Sequence, residues 1–388
     1  MSDGTYDHIV IGLGALGSAT VRQLAVRGAS VLGLERFELG HGRGESEDHS
    51  RLIRVTYHTE AYARLAQEAY RSWEELEVMT GQQVVNRCGC LDLYPEHAEL
   101  SLETFVDNAR AAGERVQTLS AREVMERWPQ FSLDSSTRAA YHAKGGFVMA
   151  GIANRLNRRV AVDHGAELRE HARVDGIDVR PDGVRVRVGT ETFSARSLVV
   201  AAGPWTNEVL AMVGASFPLT VTQEQVTYLV PARPMDFHWS RFPVWMWMAR
   251  PSLYGFPIFG ESAVKAAIDA GGREVTADSR SFDPDPDLSA TVRTMMADLL
   301  PGSNAAVRRE KTCLYTLPPD RDFILDLVPG HDRISVAVGG GHAFKFASVI
   351  GEIMADFATA GETAHDVAAY TATRPILTEV DPPKNFLL

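Results

Sequence analysis

Near its start the chain has a short apolar run, His8-Ile9-Val10-Ile11, that ends in Gly12-Leu13-Gly14-Ala15-Leu16-Gly17. An apolar run of this length, closed by glycine, predicts a buried parallel strand. Val21, Leu24, Ala25 and Gly28 then fall on one face of a predicted helix. Residues 30–34 read as a second strand ending at Glu35. In such a unit Gly12 permits a tight turn and Gly14 lets backbone amides approach a diphosphate. Gly17 lets helix and strand pack closely, and Glu35, eighteen residues past it, is placed for ribose hydroxyls. The helix N-terminus adds partial positive charge. The expectation is a Rossmann-type fold holding the ADP half of a dinucleotide, with NAD and FAD both open.

The 388 residues are enough for two domains. With 39 basic and 50 acidic residues the net charge is −11. That argues against nucleic acid and anionic membrane surfaces as partners, though not against a locally basic pocket. No apolar run approaches the roughly 20 residues of a membrane span. Met1-Ser2-Asp3-Gly4 lacks the basic start of a secretory signal. Three cysteines cannot pair completely, so a reducing, cytoplasmic setting is expected. Cys88 and Cys90, a C-x-C without a partnering ligand set, read as structural, and no metal site is expected.

Farther along, residues 173–188 alternate around Pro181-Asp182-Gly183, with Val184, Val186 and Val188 opposite Arg185 and Arg187. This predicts an antiparallel hairpin with one wet face. Residues 198–202 read as another buried strand, running into Gly203-Pro204-Trp205. Residues 217–300 mix aromatic strands, turns and a polar helix. Ile334, Val336 and Val338 alternate along a strand that Gly339-Gly340-Gly341 breaks, and a helix is predicted over residues 346–358. Gly40, Gly42 and Gly44 precede a polar stretch, so no second nucleotide unit, and hence no separate NADPH site, is expected. The predicted class is α/β with an α+β second domain. Residues 1–85, 150–216 and 310–388 would form a discontinuous nucleotide domain. Residues 86–149 and 217–309 would form a mixed-sheet substrate domain.

Several segments carry a resemblance. The run Ala201-Ala202-Gly203-Pro204-Trp205 resembles a second nucleotide-contact motif of FAD-dependent oxidoreductases. Arg309-Glu310-Lys311-Thr312-Cys313-Leu314-Tyr315-Thr316 strongly resembles the flavin-attachment segment of the monomeric sarcosine oxidase and N-methyltryptophan oxidase family of FAD-dependent amine oxidases. Ser50-Arg51-Leu52-Ile53-Arg54 is similar to that family's SRxIR run, and Gly341-His342-Ala343-Phe344-Lys345-Phe346 to its C-terminal motif. Lys265 follows Tyr254-Gly255-Phe256-Pro257-Ile258-Phe259-Gly260 at the family's spacing.

The resemblance spans nearly the whole chain. It implies a glutathione reductase-like FAD fold in a D-amino acid oxidase-like arrangement. FAD would be bonded through Cys313. Gly12, Gly14, Gly17, Glu35, Arg36, Ser50, Arg51, Val174, Gly203, Trp205, Gly341, His342 and Lys345 would contact it. Arg54 and Lys345 would hold a substrate carboxylate, Tyr254 and Tyr315 would line the pocket, and Lys265 would activate oxygen. A bidentate guanidinium suits a carboxylate, and a cation suits charge that develops on reduced oxygen. The implied reaction oxidises a secondary-amine amino acid, either N-methyl or cyclic. A hydride equivalent passes to FAD, an imine forms, and O2 is reduced to H2O2. The implied protein is a monomer with only small-molecule partners. The rival readings are a flavin dehydrogenase or monooxygenase, and a non-catalytic FAD-binding protein.

Three places depart from the family or stay open. Asp269 stands where relatives often have a histidine. It would either favour a substrate with an extra cation or face water. In Gly44-Glu45-Ser46-Glu47-Asp48-His49-Ser50, Glu47 takes the place expected for a histidine near the flavin, and His49 is either a substitute or a bystander. Trp245 and Trp247 should share one strand face. That face is either an apolar pocket wall or packed core.

Overall fold

The computed structural model describes residues 4–385. Two large sheets, linked by a small one, organise the chain. In the first, Gly4–Ile11 lies between Val31–Leu34 and Glu191–Val200, parallel to both. Glu167–Arg169 extends it beyond Val31–Leu34, and Ile334–Val338 pairs in parallel with Glu191–Val200. Both faces are covered. Ile9, Ile11, Leu32 and Leu34 pack into one core cluster, whereas Val10 and Val31 pack into another with the helices. Two-sided burial is why these strands read as continuous apolar runs. The hairpin Gly176–Arg180 with Gly183–Val188 adds the antiparallel edge.

Helix Ala15–Val26 follows the glycine turn and packs against helix Ala347–Ala360. The two approach closely at Gly351, where a Cβ would lie 2.6 Å from the backbone of Ala19. The first helix is shorter than its periodicity predicted. It ends at Val26, and Gly28 (φ 85°) turns the chain in the left-handed conformation instead of continuing the face. The predicted C-terminal helix is present but starts with a 3-10 turn, Ala343–Phe346.

The second sheet has nine strands drawn from two separate stretches of chain. Cys90–Tyr94, Gln117–Ser120 and Arg138–His142 come from the first. Thr220–Val230, Val244–Trp247, Leu253–Phe256, Val264–Ile268, Arg273–Glu274 and Ala306–Leu317 come from the second. The stretches join where Val244–Trp247 runs parallel to Cys90–Tyr94. Ala306–Leu317 pairs along nearly its whole length with Thr220–Val230. The boundary expected at residue 310 therefore falls inside a strand. We propose the same two-unit division with that boundary at the strand's end.

One face of this sheet packs Leu91, Leu93, Trp245, Leu253 and Ala266 into a core with helix Pro286–Leu299. The tryptophans do alternate with the methionines as predicted, but they belong to this core. The pocket wall is Met246, on the opposite face. Arg51–Ile53, Val85–Asn86 and Gly146–Val148 form a three-stranded sheet, and Arg54 just beyond its first strand reaches Asp92 of the second large sheet. No helix among the described residues is long and apolar enough to cross a membrane.

Candidate active site

One long cavity runs from the glycine turn to the inner face of the second sheet. At its first end Gly12 has φ 92°, and a Cβ there would lie 2.4 Å from the Ala201 carbonyl oxygen. Gly17 does not line the cavity. Its absent Cβ would lie 1.8 Å from the Gly12 carbonyl oxygen, so its role is to let the helix close on the turn. Gly14 lies beside Ser46, whose hydroxyl accepts from the Ala15 amide at 2.9 Å. Glu35 is buried at the end of its strand and accepts from the Leu13 amide (2.9 Å) and the Phe37 amide (3.1 Å). Burial opposes its ionisation, but His41 and these amides outweigh burial and lower its pKa. Each carboxylate oxygen retains acceptor capacity. Val174, Gly203 and Trp205 continue the wall, and Arg36 stacks over Trp205 while pairing with Glu208 at 3.2 Å.

At the far end Arg51, Cys313, Tyr315, Gly341, His342 and Lys345 meet. Gly341 has φ 75°, and a Cβ there would lie 2.5 Å from the Tyr315 ring. Cys313 is a free thiol. Burial pushes it up to about 11, against the pull of the Arg51 guanidinium. Tyr254 and Lys265 face the same space from neighbouring strands. Ser50 does not line the cavity. Its carbonyl accepts from Lys265 Nζ at 2.6 Å.

The cations here have unequal partners. Arg54, 4% exposed, donates through Nη1 to Asp92 at 2.9 Å. Burial works against its charge, but Asp92 and its other buried neighbours together outweigh burial and raise its pKa. Arg321 forms a two-pronged ion pair with Asp269, at 2.9 and 2.7 Å. Asp269 lines the cavity, and its charge partner there is Arg321. Lys345 has no ion-pair partner among the described residues. Burial, then the nearby Arg54 charge, lowers it to about 7.

Glu47 lines the cavity, and burial raises its carboxyl pKa. His49 is a bystander to the cavity, paired with Glu261 at 3.0 Å. Cys90 is buried, Cys88 half-buried, and no cluster of possible metal ligands occurs among the described residues.

Sequence reasoning missed Asp92, Asp48, Arg321, Tyr57 and Met246. Asp92 had a signal, since it interrupts an otherwise apolar strand, Cys-Leu-Asp-Leu-Tyr. An acid at a buried position implies a buried partner. Arg321, in a loop with φ 63°, had none.

A flavin dinucleotide fits this cavity on the protein's own terms. The glycine turn and Glu35 form one end. Four buried polar atoms without hydrogen-bond partners, Asn154 Oδ1, Tyr57 OH, Arg54 Nε and His342 Nδ1, belong to residues that line it. Buried orphans of this kind mark a place for a ligand or water.

Comparison with known proteins agrees. The family model described as FAD dependent oxidoreductase matches residues 7–357. Monomeric sarcosine oxidase from Bacillus sp. (strain B-0618) is 29% identical over 379 residues, which is 96% of this chain and 97% of that protein. Human peroxisomal sarcosine oxidase is 31% identical, covering 95% and 96%. N-methyl-L-tryptophan oxidase from Yersinia pestis (strain Pestoides F) is 28% identical, covering 95% and 99%. Among solved structures, NikD, an amino acid oxidase essential for nikkomycin biosynthesis, superposes with a TM-score of 0.83 at 26% identity, covering 95% of this chain and 97% of that one. The chain is an enzyme of the FAD-dependent oxidoreductase family, among the relatives of the sarcosine oxidases and N-methyltryptophan oxidases.

Proposed function

We propose that this enzyme oxidises a small secondary amine that carries one carboxylate, an N-methyl or cyclic amino acid. The observation that carries the reading is the meeting of Arg54 and Lys345 with Lys265 and Cys313 in the cavity that begins at the glycine turn. When bound, FAD would take a hydride equivalent from the C–H beside nitrogen and pass two electrons to O2, giving H2O2 and an imine.

The chain's own residues supply the rest. Arg54 and Lys345 hold the carboxylate and so fix the approach of the reacting carbon, and orientation of this kind removes much of the barrier. Tyr254 and Tyr315 wall the pocket and keep water from it. The cationic lining favours the neutral amine over the ammonium, since a like charge nearby disfavours protonation. Lys265 places a positive charge where oxygen is reduced. The ribose contact falls to Glu35 and the diphosphate to the amides of the glycine turn. We take the enzyme to be a cytoplasmic monomer, in line with relatives named monomeric.

A panel of sarcosine, N-methyl aromatic amino acids, proline, pipecolate and diamino acids, read by peroxide release, tests this. One or more carboxylate-bearing secondary amines should release stoichiometric peroxide without NADPH. Failure of every amine to bleach the flavin anaerobically would overturn the reading. Bleaching with slow recovery in oxygen would instead identify a dehydrogenase.

The flavin is bonded to Cys313 in this proposal, supported by the thiol's place on the cavity wall. Acid-denatured wild-type protein should keep its yellow colour in the pellet. Cys313→Ser should lose it to the supernatant. Free flavin from the wild type would end the claim.

A further inference from the structure

Behind the cavity wall lies Asp48, buried and with both carboxylate oxygens occupied. We propose that Asp48 is the positioning residue of Lys265, the counter-charge that keeps its ammonium protonated and fixed at the wall of the flavin cavity. The proposal rests on the reading of the cavity given above.

The geometry is closed. Lys265 Nζ donates to Asp48 Oδ2 at 3.1 Å, with both side chains 3% exposed. Arg51 Nη1 donates to the same oxygen at 3.0 Å. The Tyr228 hydroxyl (2.5 Å) and the His49 amide (2.9 Å) donate to Oδ1. Lys265 has a second anchor in the Ser50 carbonyl, and its ammonium lies 3.9 Å from the Phe256 ring centre. Two of its three N–H groups are thus engaged on the protein side. A buried carboxylate with four donors is uncommon in a wall that needs only packing, because its desolvation must be offset by what it binds.

Every element packed around Lys265 bears on its charge. Its strand, Val264–Ile268, pairs Lys265 with Tyr228 on one side and with Phe256 on the other. Segment 45–54 brings Asp48 and Arg51, Leu253–Phe256 brings Tyr254, and Ala306–Leu317 brings Cys313. Asp48 is thus the nearest counter-charge, and Arg51 the nearest like charge. Burial lowers Lys265 to about 8, Asp48 opposes that shift, and Arg51 adds to it. The ammonium is therefore present below that pH and lost above it. Without Asp48, burial and Arg51 act unopposed and the loss moves to lower pH. Both tyrosines and the Cys313 thiol are pushed up by burial, so they stay neutral across this range.

Sulfite is the probe. It adds to bound flavin as an anion, and its dissociation constant, read from visible absorbance, reports positive charge beside the ring. Its own ionisation is common to all variants and cancels in their ratio. In wild-type holoenzyme the affinity should fall as pH rises through about 8, and Lys265→Gln should remove that step. Asp48→Asn should move the step at least one unit toward acid, so that binding at pH 9, above both steps, is about tenfold weaker, one pH unit being one decade in the charged fraction there. Asp48→Glu should restore the wild-type profile. A superimposable profile in Asp48→Asn, or a wild-type step in Asp48→Asn/Lys265→Gln, overturns the proposal. If Asp48→Asn does not fold, recovery of a folded flavoprotein in the double variant supports the pairing, and its failure counts against it. Absence of bound flavin, or flavin that no amine bleaches, fails the functional reading instead.

Discussion

Arg54→Leu should lower kcat/KM for a carboxylate-bearing amine by about three-hundredfold, mostly through weaker binding of the carboxylate. Arg54 donates to Asp92 and lies 5.2 Å from the Tyr57 ring centre, and its Nε has no hydrogen-bond partner among the described residues. It therefore holds unspent donor capacity in a dry site. Removing one member of a buried, hydrogen-bonded charge pair at a binding site costs about 2–5 kcal/mol. At about 1.4 kcal/mol per decade, the middle of that range is the three-hundredfold expected. The same substitution strands the Asp92 charge, which costs about 3–5 kcal/mol of stability. Arg54→Leu/Asp92→Asn separates the two effects. It should recover melting temperature while leaving kcat/KM low. Arg54→Lys should recover only part of the activity, because an ammonium cannot bridge Asp92 and a carboxylate in one plane. An Arg54→Leu enzyme within fivefold of wild type, and no more tolerant of amines lacking the carboxylate, would sink the assignment.

What the chain disclosed by itself follows from where its constraints are local. The glycine turn, Glu35 and the strands on either side are legible because short-range rules govern them, and two-sided burial leaves a continuous apolar run. Even there the end of the first helix was misplaced, because Gly28 fits the helical pattern as well as the left-handed turn that closes it. The face of Val244–Trp247 was not legible. Alternation says which residues share a side, but only the partner strand, Cys90–Tyr94, says which side is wet. Charge partners were least legible. Asp92 and Arg54 are 38 residues apart, Asp269 and Arg321 are 52, and Asp48 and Lys265 are 217. Nothing periodic connects residues at such separations. Lys265 and Cys313 stood out through resemblance, whereas the acids that balance the cations became visible only when distant segments of the chain folded together.

Those balancing charges should also set which substrates fit. On the substrate side the cations are Arg54, Lys345 and Arg321, and the anions are Asp92 and Asp269. Three against two leaves one positive charge, the complement of a single carboxylate on a neutral amine. Asp269→Asn removes one anion and should raise preference for a dicarboxylate secondary amine over its monocarboxylate analogue by about a hundredfold. A unit charge about 5 Å away at an effective dielectric of about 20 contributes roughly 3 kcal/mol, which is two decades. The sign needs one correction. Asp269 also supports the protonated form of Lys345, which burial and Arg54 already lower to about 7. Without Asp269 that lysine titrates below 7, so the gain should be largest at acid pH and fade as pH rises toward neutrality. Arg321 would lose its carboxylate partner while held at φ 63° beside the Gly340 carbonyl, 3.2 Å from its Nε. A drop in melting temperature is expected for that reason and is not evidence on specificity. Asp269→Asn/Arg321→Met returns the count to one positive charge and should return the preference to that of the wild type. If the single variant leaves the ratio of dicarboxylate to monocarboxylate binding constants unchanged across the acid range down to about pH 5, charge balance does not select the substrate here, and the Asp269–Arg321 pair serves only to shape the wall.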